Sequence, residues 1–130
     1  MIEHSIHIVL DTAAIESYMR QEMVVGQAIS KLAFGVQFVA LPVLCLAEAY
    51  RAARGDDALV LDVLSNHPKA IVTPVAPDDA QMLGGWSRIV GRHDLAHAAL
   101  DAAAHRATLI TSERKTINRV LSEGWPIIDL

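Results

Sequence analysis

The sequence predicts an α/β fold, a single three-layer α/β/α domain around a central, mostly parallel sheet. Three observations predict it. Short apolar runs rich in branched residues recur along the chain without polar alternation, as in strands buried on both faces. Longer stretches with helical spacing separate them. The 130 residues suffice for one core and no more.

The elements follow in order. Residues 7–10 (HIVL) form the first strand, and Asp11-Thr12 cap a helix that begins at Ala13. A second helix covers residues 23–34 and stops at Gly35. Residues 32–50 carry one charge, Glu48, but Gly35, Gln37 and Pro42 interrupt them. They therefore read as a strand at 38–41 (FVAL), a turn and a helix at 44–53, not as a membrane span. Asp56-Asp57 opens a helix through Leu59, Leu61 and Leu64. Residues 69–75 (KAIVTPV) are the third strand, placed at a sheet edge or ended by Pro74. Pro77-Asp78-Asp79 starts a helix that reaches Gly91, with acids where the helix dipole favours them. An alanine-rich helix at 94–106, a strand at 108–111 (TLIT), a helix at 113–121 and a strand at 126–128 complete the chain.

Composition narrows the function. Hydrophobic residues make up 52% and charged residues 20%, which excludes intrinsic disorder. The single cysteine, Cys45, excludes an internal disulfide framework and any multi-cysteine zinc module, and fits a core position. The net charge of −4 argues against holding nucleic acid by bulk positive field alone. The N-terminal MIEHSIH has no basic region leading into an apolar run, so it does not read as a signal peptide. These features together predict a reduced, cytoplasmic protein.

Parallel sheets bind ligands beyond the carboxyl ends of their strands. Asp11 lies just after the first strand, and Thr111-Ser112-Glu113 closes the strand at 108–111. Glu48 rides on the helix after the second strand and is the only charge between Lys31 and Arg51; Asp94 opens the alanine-rich helix. Four carboxylates distant in sequence thus converge on one end of the sheet. Crowded carboxylates repel one another, and a hard divalent cation such as Mg²⁺ or Mn²⁺ neutralises them. A cation held that way supports phosphodiester hydrolysis.

Each acid also has a plainer role. Asp11 can be a helix N-cap, Glu48 the partner of an arginine, and Glu113 an ordinary acid of a first helical turn. Asp101, two turns beyond Asp94 on the same helix face, competes with it and can serve as a second ligand. His93 and His97 have the i,i+4 spacing of a zinc-binding helix face, with His105 further on, but no Glu follows the first. The plainer reading is a partly exposed helix face. No G-x-S-x-G is present, and Gly84-Gly85 lacks both the phosphate-loop lysine and the dinucleotide spacing, suggesting a helix irregularity.

The segments IVLDTAAI, LCLAEAYRAA and DLAHAALDAAAHRATLITSE resemble the PIN-domain nucleases, most closely the VapC-like toxins of type II toxin–antitoxin systems. The resemblance spans nearly the whole chain, although residues 56–90 match only in helical character. It implies one PIN-like domain over residues 1–130, with Asp11, Glu48, Asp94 and Glu113 as metal ligands and the first three catalytic. Thr12, Thr111, Ser112 and Asp101 stand beside them as further candidates. The last acid departs from the family's usual Asp: one extra methylene moves a carboxylate by about 1.5 Å, which bears on Mg²⁺ geometry. The implied function is metal-dependent endoribonuclease action on RNA, with a small antitoxin protein and a homodimer as partners. Arg114, Lys115 and Arg119 are the cations nearest Glu113 in sequence, either to flank the scissile phosphate or to form a solvated helix face. High apolar content, with a mean hydropathy of +0.31, leaves surface for both partners. The alternative from another class is a catalytically weak or inactive PIN-fold interaction module, which Glu113 favours.

Overall fold

The computed structural model describes residues 5–130. Five parallel strands form one sheet in the order β3-β2-β1-β4-β5: β1 (Ser5–Leu10), β2 (Gln37–Pro42), β3 (Ala70–Thr73), β4 (Thr108–Thr111) and β5 (Ile127–Asp129). Helices α1 (Thr12–Met19) and α2 (Met23–Ser30) join β1 to β2, and α3 (Val43–Ala52) and α4 (Asp57–Ser65) join β2 to β3. Helices α5 (Ala80–Val90) and α6 (His93–His105) return the chain to β4, and the short α7 (Arg114–Ile117) precedes β5.

The path from β1 to β3 moves one way across the sheet, and the path from β3 to β4 comes back past β1. Right-handed crossovers in opposite directions put their helices on opposite faces, which makes the three layers. It also puts the point where strand order reverses between β1 and β4, the crevice where such sheets bind ligands. Asp11 follows β1 there and Glu113 follows β4. The central strands are dry. Val9, Leu10, Val39, Ala40, Leu41, Leu109 and Ile110 are fully buried, which is why their segments show no polar alternation. Ala96, Ala98, Ala99 and Ala102 of α6 are buried too; small side chains let this helix lie close against β1 and β2.

Pro42 ends β2 where a missing N–H is harmless, and β3 is an edge strand that stops at Thr73, just before Pro74. Two helices are shorter than their spacing predicts. α2 ends at Ser30, not Phe34, and the chain then turns through Gly35 at φ +76°. α7 spans four residues, not 113–121: Thr116 and Ile117 are β-branched, and the Asn118 side-chain amide donates to the Ser122 carbonyl. Gly84-Gly85 causes no irregularity, because α5 runs through both. Residues 32–50 divide into β2 and α3, and no helix among the described residues is long and apolar enough to cross a membrane.

Candidate active site

Asp11 is the innermost residue of the site. It caps α1, its Oδ1 accepting the Ala14 N–H at 2.9 Å, while its Oδ2 is buried without a hydrogen-bond partner. The side chain is 0% exposed, and burial pushes its carboxyl up to about 6 from 3.8. The neighbouring Thr111 hydroxyl and the Ala14 N–H oppose that rise without cancelling it, and Thr111 makes no well-aligned bond to Oδ2. Cap and ligand are therefore compatible roles, since they use different oxygens.

Asp94 lies in the first turn of α6, buried, facing α1. It does not cap its helix; Arg92 holds the N-cap position. Asp94 Oδ2 accepts the Thr12 hydroxyl at 2.5 Å, and the Arg92 guanidinium grips both oxygens, Nε on Oδ1 at 3.1 Å and Nη2 on Oδ2 at 2.9 Å. Burial opposes ionisation here as well, but the Arg92 fork and the Thr12 hydroxyl outweigh it and hold the carboxyl below its ordinary value. Glu113 comes from the end of β4, where its backbone N–H donates to Thr111 Oγ1 at 2.9 Å. Its Oε2 accepts from Arg92 Nη1 at 2.9 Å. One guanidinium thus bridges two of the sequence-predicted acids, and those acids raise its own affinity for the proton.

Glu48 stands across the cleft on α3, half-buried, its Oε2 2.7 Å from Arg51 Nη2. The arginine pairing that sequence offered as the plainer role is present, yet Glu48 still lines the same cleft of about 590 Å³ as Thr12, Arg51, Arg92, His93 and Asp94. Cys45 is buried beneath the acids, donating to the Asp94 carbonyl at 3.1 Å, its thiol pushed up by burial.

Other candidates are placed elsewhere. Asp101 accepts the Thr73 hydroxyl and lines a separate cavity with Trp86, so it does not join Asp94. Its carboxyl is raised by burial. His93 shares a 2.8 Å hydrogen bond with Ser87, whereas His97 is buried, 3.7 Å from Asp101, so the two do not form a partly exposed face. Arg114 is turned onto Asp129 with contacts of 2.7–3.1 Å, away from the cleft; Lys115, Arg119 and Ser112 are exposed. Among the described residues, no three His, Cys, Asp or Glu side chains are drawn together as around a bound metal.

Arg92 is the residue that sequence reasoning missed. Its only local signal is a place between Gly91 and a helix start, and its pairing with Glu113 spans 21 residues.

No protein-family model and no curated protein matches the chain. Solved structures do. VapBC2 from Rickettsia felis, bound to a DNA fragment from its promoter, is 17% identical with a TM-score of 0.72, covering 95% of this chain and 98% of that chain. VapBC-1 from nontypeable Haemophilus influenzae is 16% identical with a TM-score of 0.66, over 95% and 97%. FitAB bound to the IR36 DNA fragment is 13% identical with a TM-score of 0.61, over 94% of each chain. The fold is that of a PIN domain. In this fold Arg92 joins Asp94 to Glu113, and Asp11 lies within electrostatic reach of Glu113 and Arg92, while Glu48 and Asp94 line the cleft itself.

Proposed function

We propose that the chain is a divalent-metal-dependent endoribonuclease that hydrolyses RNA phosphodiester bonds and acts as the toxin of a toxin–antitoxin pair. The observation that carries this is Asp11 Oδ2: a fully buried carboxylate oxygen without a partner, at the crevice where β1 and β4 end. An interior that leaves an acid in that state is incomplete, and a hard cation completes it. The donor set fits Mg²⁺ or Mn²⁺, because Asp11, Asp94 and Glu113 offer oxygen alone; Glu48, across the cleft, is the fourth acid. When bound, the ion supplies Lewis acidity at the phosphodiester.

The chain's own residues prepare the site. The Ala14 N–H fixes the Asp11 carboxyl plane, and Thr12 fixes that of Asp94. Burial removes competing water from Asp11. Arg51 and Arg92 bring positive charge to the cleft wall, where the entering phosphate backbone of an RNA needs it. The solved relatives are toxin–antitoxin complexes, and exposed Met23, Val24, Leu59 and Val63 leave apolar surface for an antitoxin peptide and a second copy in the cytoplasm.

Purified protein should cleave RNA in Mg²⁺ or Mn²⁺, stop in EDTA, and lose activity in Asp94→Ala. Undiminished cleavage in EDTA refutes the reading. The alternative, a non-catalytic interaction module, is favoured by one observation: Arg92 already neutralises part of the Asp94–Glu113 pair. Calorimetry with Mn²⁺ separates the two, since the module binds none.

A further inference from the structure

Arg92 makes three hydrogen bonds to carboxylate oxygens, both of Asp94 and one of Glu113. Those are oxygens that a divalent ion shared by these acids needs. An oxygen that points its lone pairs at a guanidinium cannot offer them fully to a metal. Arg92 nonetheless sits at the surface of the cleft. It is the extended N-cap residue of α6 (φ −148°), directly after Gly91 at φ +90°, and its side chain is 46% exposed, against 9% for that of Asp94. It can leave without opening the core. Asp11 Oδ2 lies outside its grip, so the three acids keep negative charge that one guanidinium does not satisfy.

We propose that Arg92 is a displaceable internal cation: it holds the Asp94–Glu113 pair in the metal-free protein, gives that pair up to a divalent ion, and passes its charge to the phosphate of the substrate. The proposal rests on the metal-dependent reading above. It accounts for Glu113, whose extra methylene over Asp lets the carboxylate meet Arg92 while its backbone stays hydrogen-bonded to Thr111. It also gives an acidic chain a cation for RNA, because Arg92 already lines the same cleft as Arg51.

The test uses the full chain with Arg92→Gln and Arg92→Lys. Calorimetric titration with Mn²⁺ should show binding tightened on the order of tenfold in Arg92→Gln, with Arg92→Lys between that variant and the parent. The KM for RNA should move the other way, rising in Arg92→Gln. A purely structural arginine would not produce those opposite signs. The NMR signal of the Arg92 Nε–H, hydrogen-bonded to Asp94 in the metal-free protein, should move on saturation of the parent with Mg²⁺. Equal Mn²⁺ affinity in all three proteins, or an unmoved Nε–H signal at saturation, overturns the proposal and leaves an EDTA-sensitive nuclease standing. Absence of Mn²⁺ binding in every one of them removes the proposal and the metal reading together.

Discussion

Replacing Asp11 by Asn should make the protein more stable and inactive. The fully buried carboxyl is raised from 3.8 to about 6. Keeping it ionised at neutral pH therefore costs about 3 kcal/mol relative to the unfolded chain. The sign follows from proton uptake. Between pH 3.8 and about 6 the folded chain binds the proton that the unfolded chain has released, so stability falls as pH rises through that interval and stays lower above it. The amide is neutral throughout. Its Oδ1 can still accept from Ala14 N–H, and the neighbouring Thr111 hydroxyl can receive one of its new N–H groups. Allowing for an imperfect partner, the net gain at pH 8 is about 1–3 kcal/mol, which raises Tm by roughly 4–12 °C for a domain of this size. The assay is thermal and urea denaturation of both proteins in EDTA at pH 8 and pH 4. The stability gap should close at pH 4, where Asp11 is protonated in the folded chain. An Asn variant no more stable than the parent at pH 8, or a gap of equal size at pH 4, refutes the assignment of a strained, unpartnered carboxylate.

Proton and metal should compete for the same oxygen: Mn²⁺ affinity measured by calorimetry should fall as pH drops below about 6, approaching tenfold per pH unit from this acid alone. Thr12→Val keeps the shape of the side chain but removes the 2.5 Å bond to Asp94, so urea denaturation should show a loss of about 1–2 kcal/mol. The same variant should lower kcat for RNA cleavage, because Asp94 loses one of its two anchors. Leu61→Ala empties a fully buried position on α4 and should cost about 2–5 kcal/mol in urea denaturation, with Mn²⁺ affinity unchanged because Leu61 does not line the cleft.

The strands were the most legible part of the chain, because burial on both faces leaves a direct mark on sequence: TLIT at 108–111 matches β4 residue for residue, and Pro74 correctly signalled the edge position of β3. Helix ends were less legible where local hydrogen bonding competes with helix, as at Asn118. In the site, the position of Asp11 followed from the rule that ligands bind beyond strand ends, and the isolation of Glu48 in an apolar helix announced either a function or an arginine. What sequence did not carry was pairing across the fold. Arg92 and Glu113 meet because α6 folds back along β4 and brings its start to the end of that strand, Arg114 is held by Asp129 at the end of β5, and Asp101 meets Thr73 at the end of β3. Such contacts depend on tertiary placement, and no window of neighbouring residues encodes them.

The acids stand on β1, α3, α6 and β4, and β4 takes its place against β1 only after more than three-quarters of the chain has been threaded. A chain truncated before that strand carries Asp11, Glu48 and Asp94 but lacks Glu113, so that Arg92 has only Asp94 to hold. The strand order therefore acts as a safeguard in time: the two-acid grip of Arg92 closes only after β4 has been laid down.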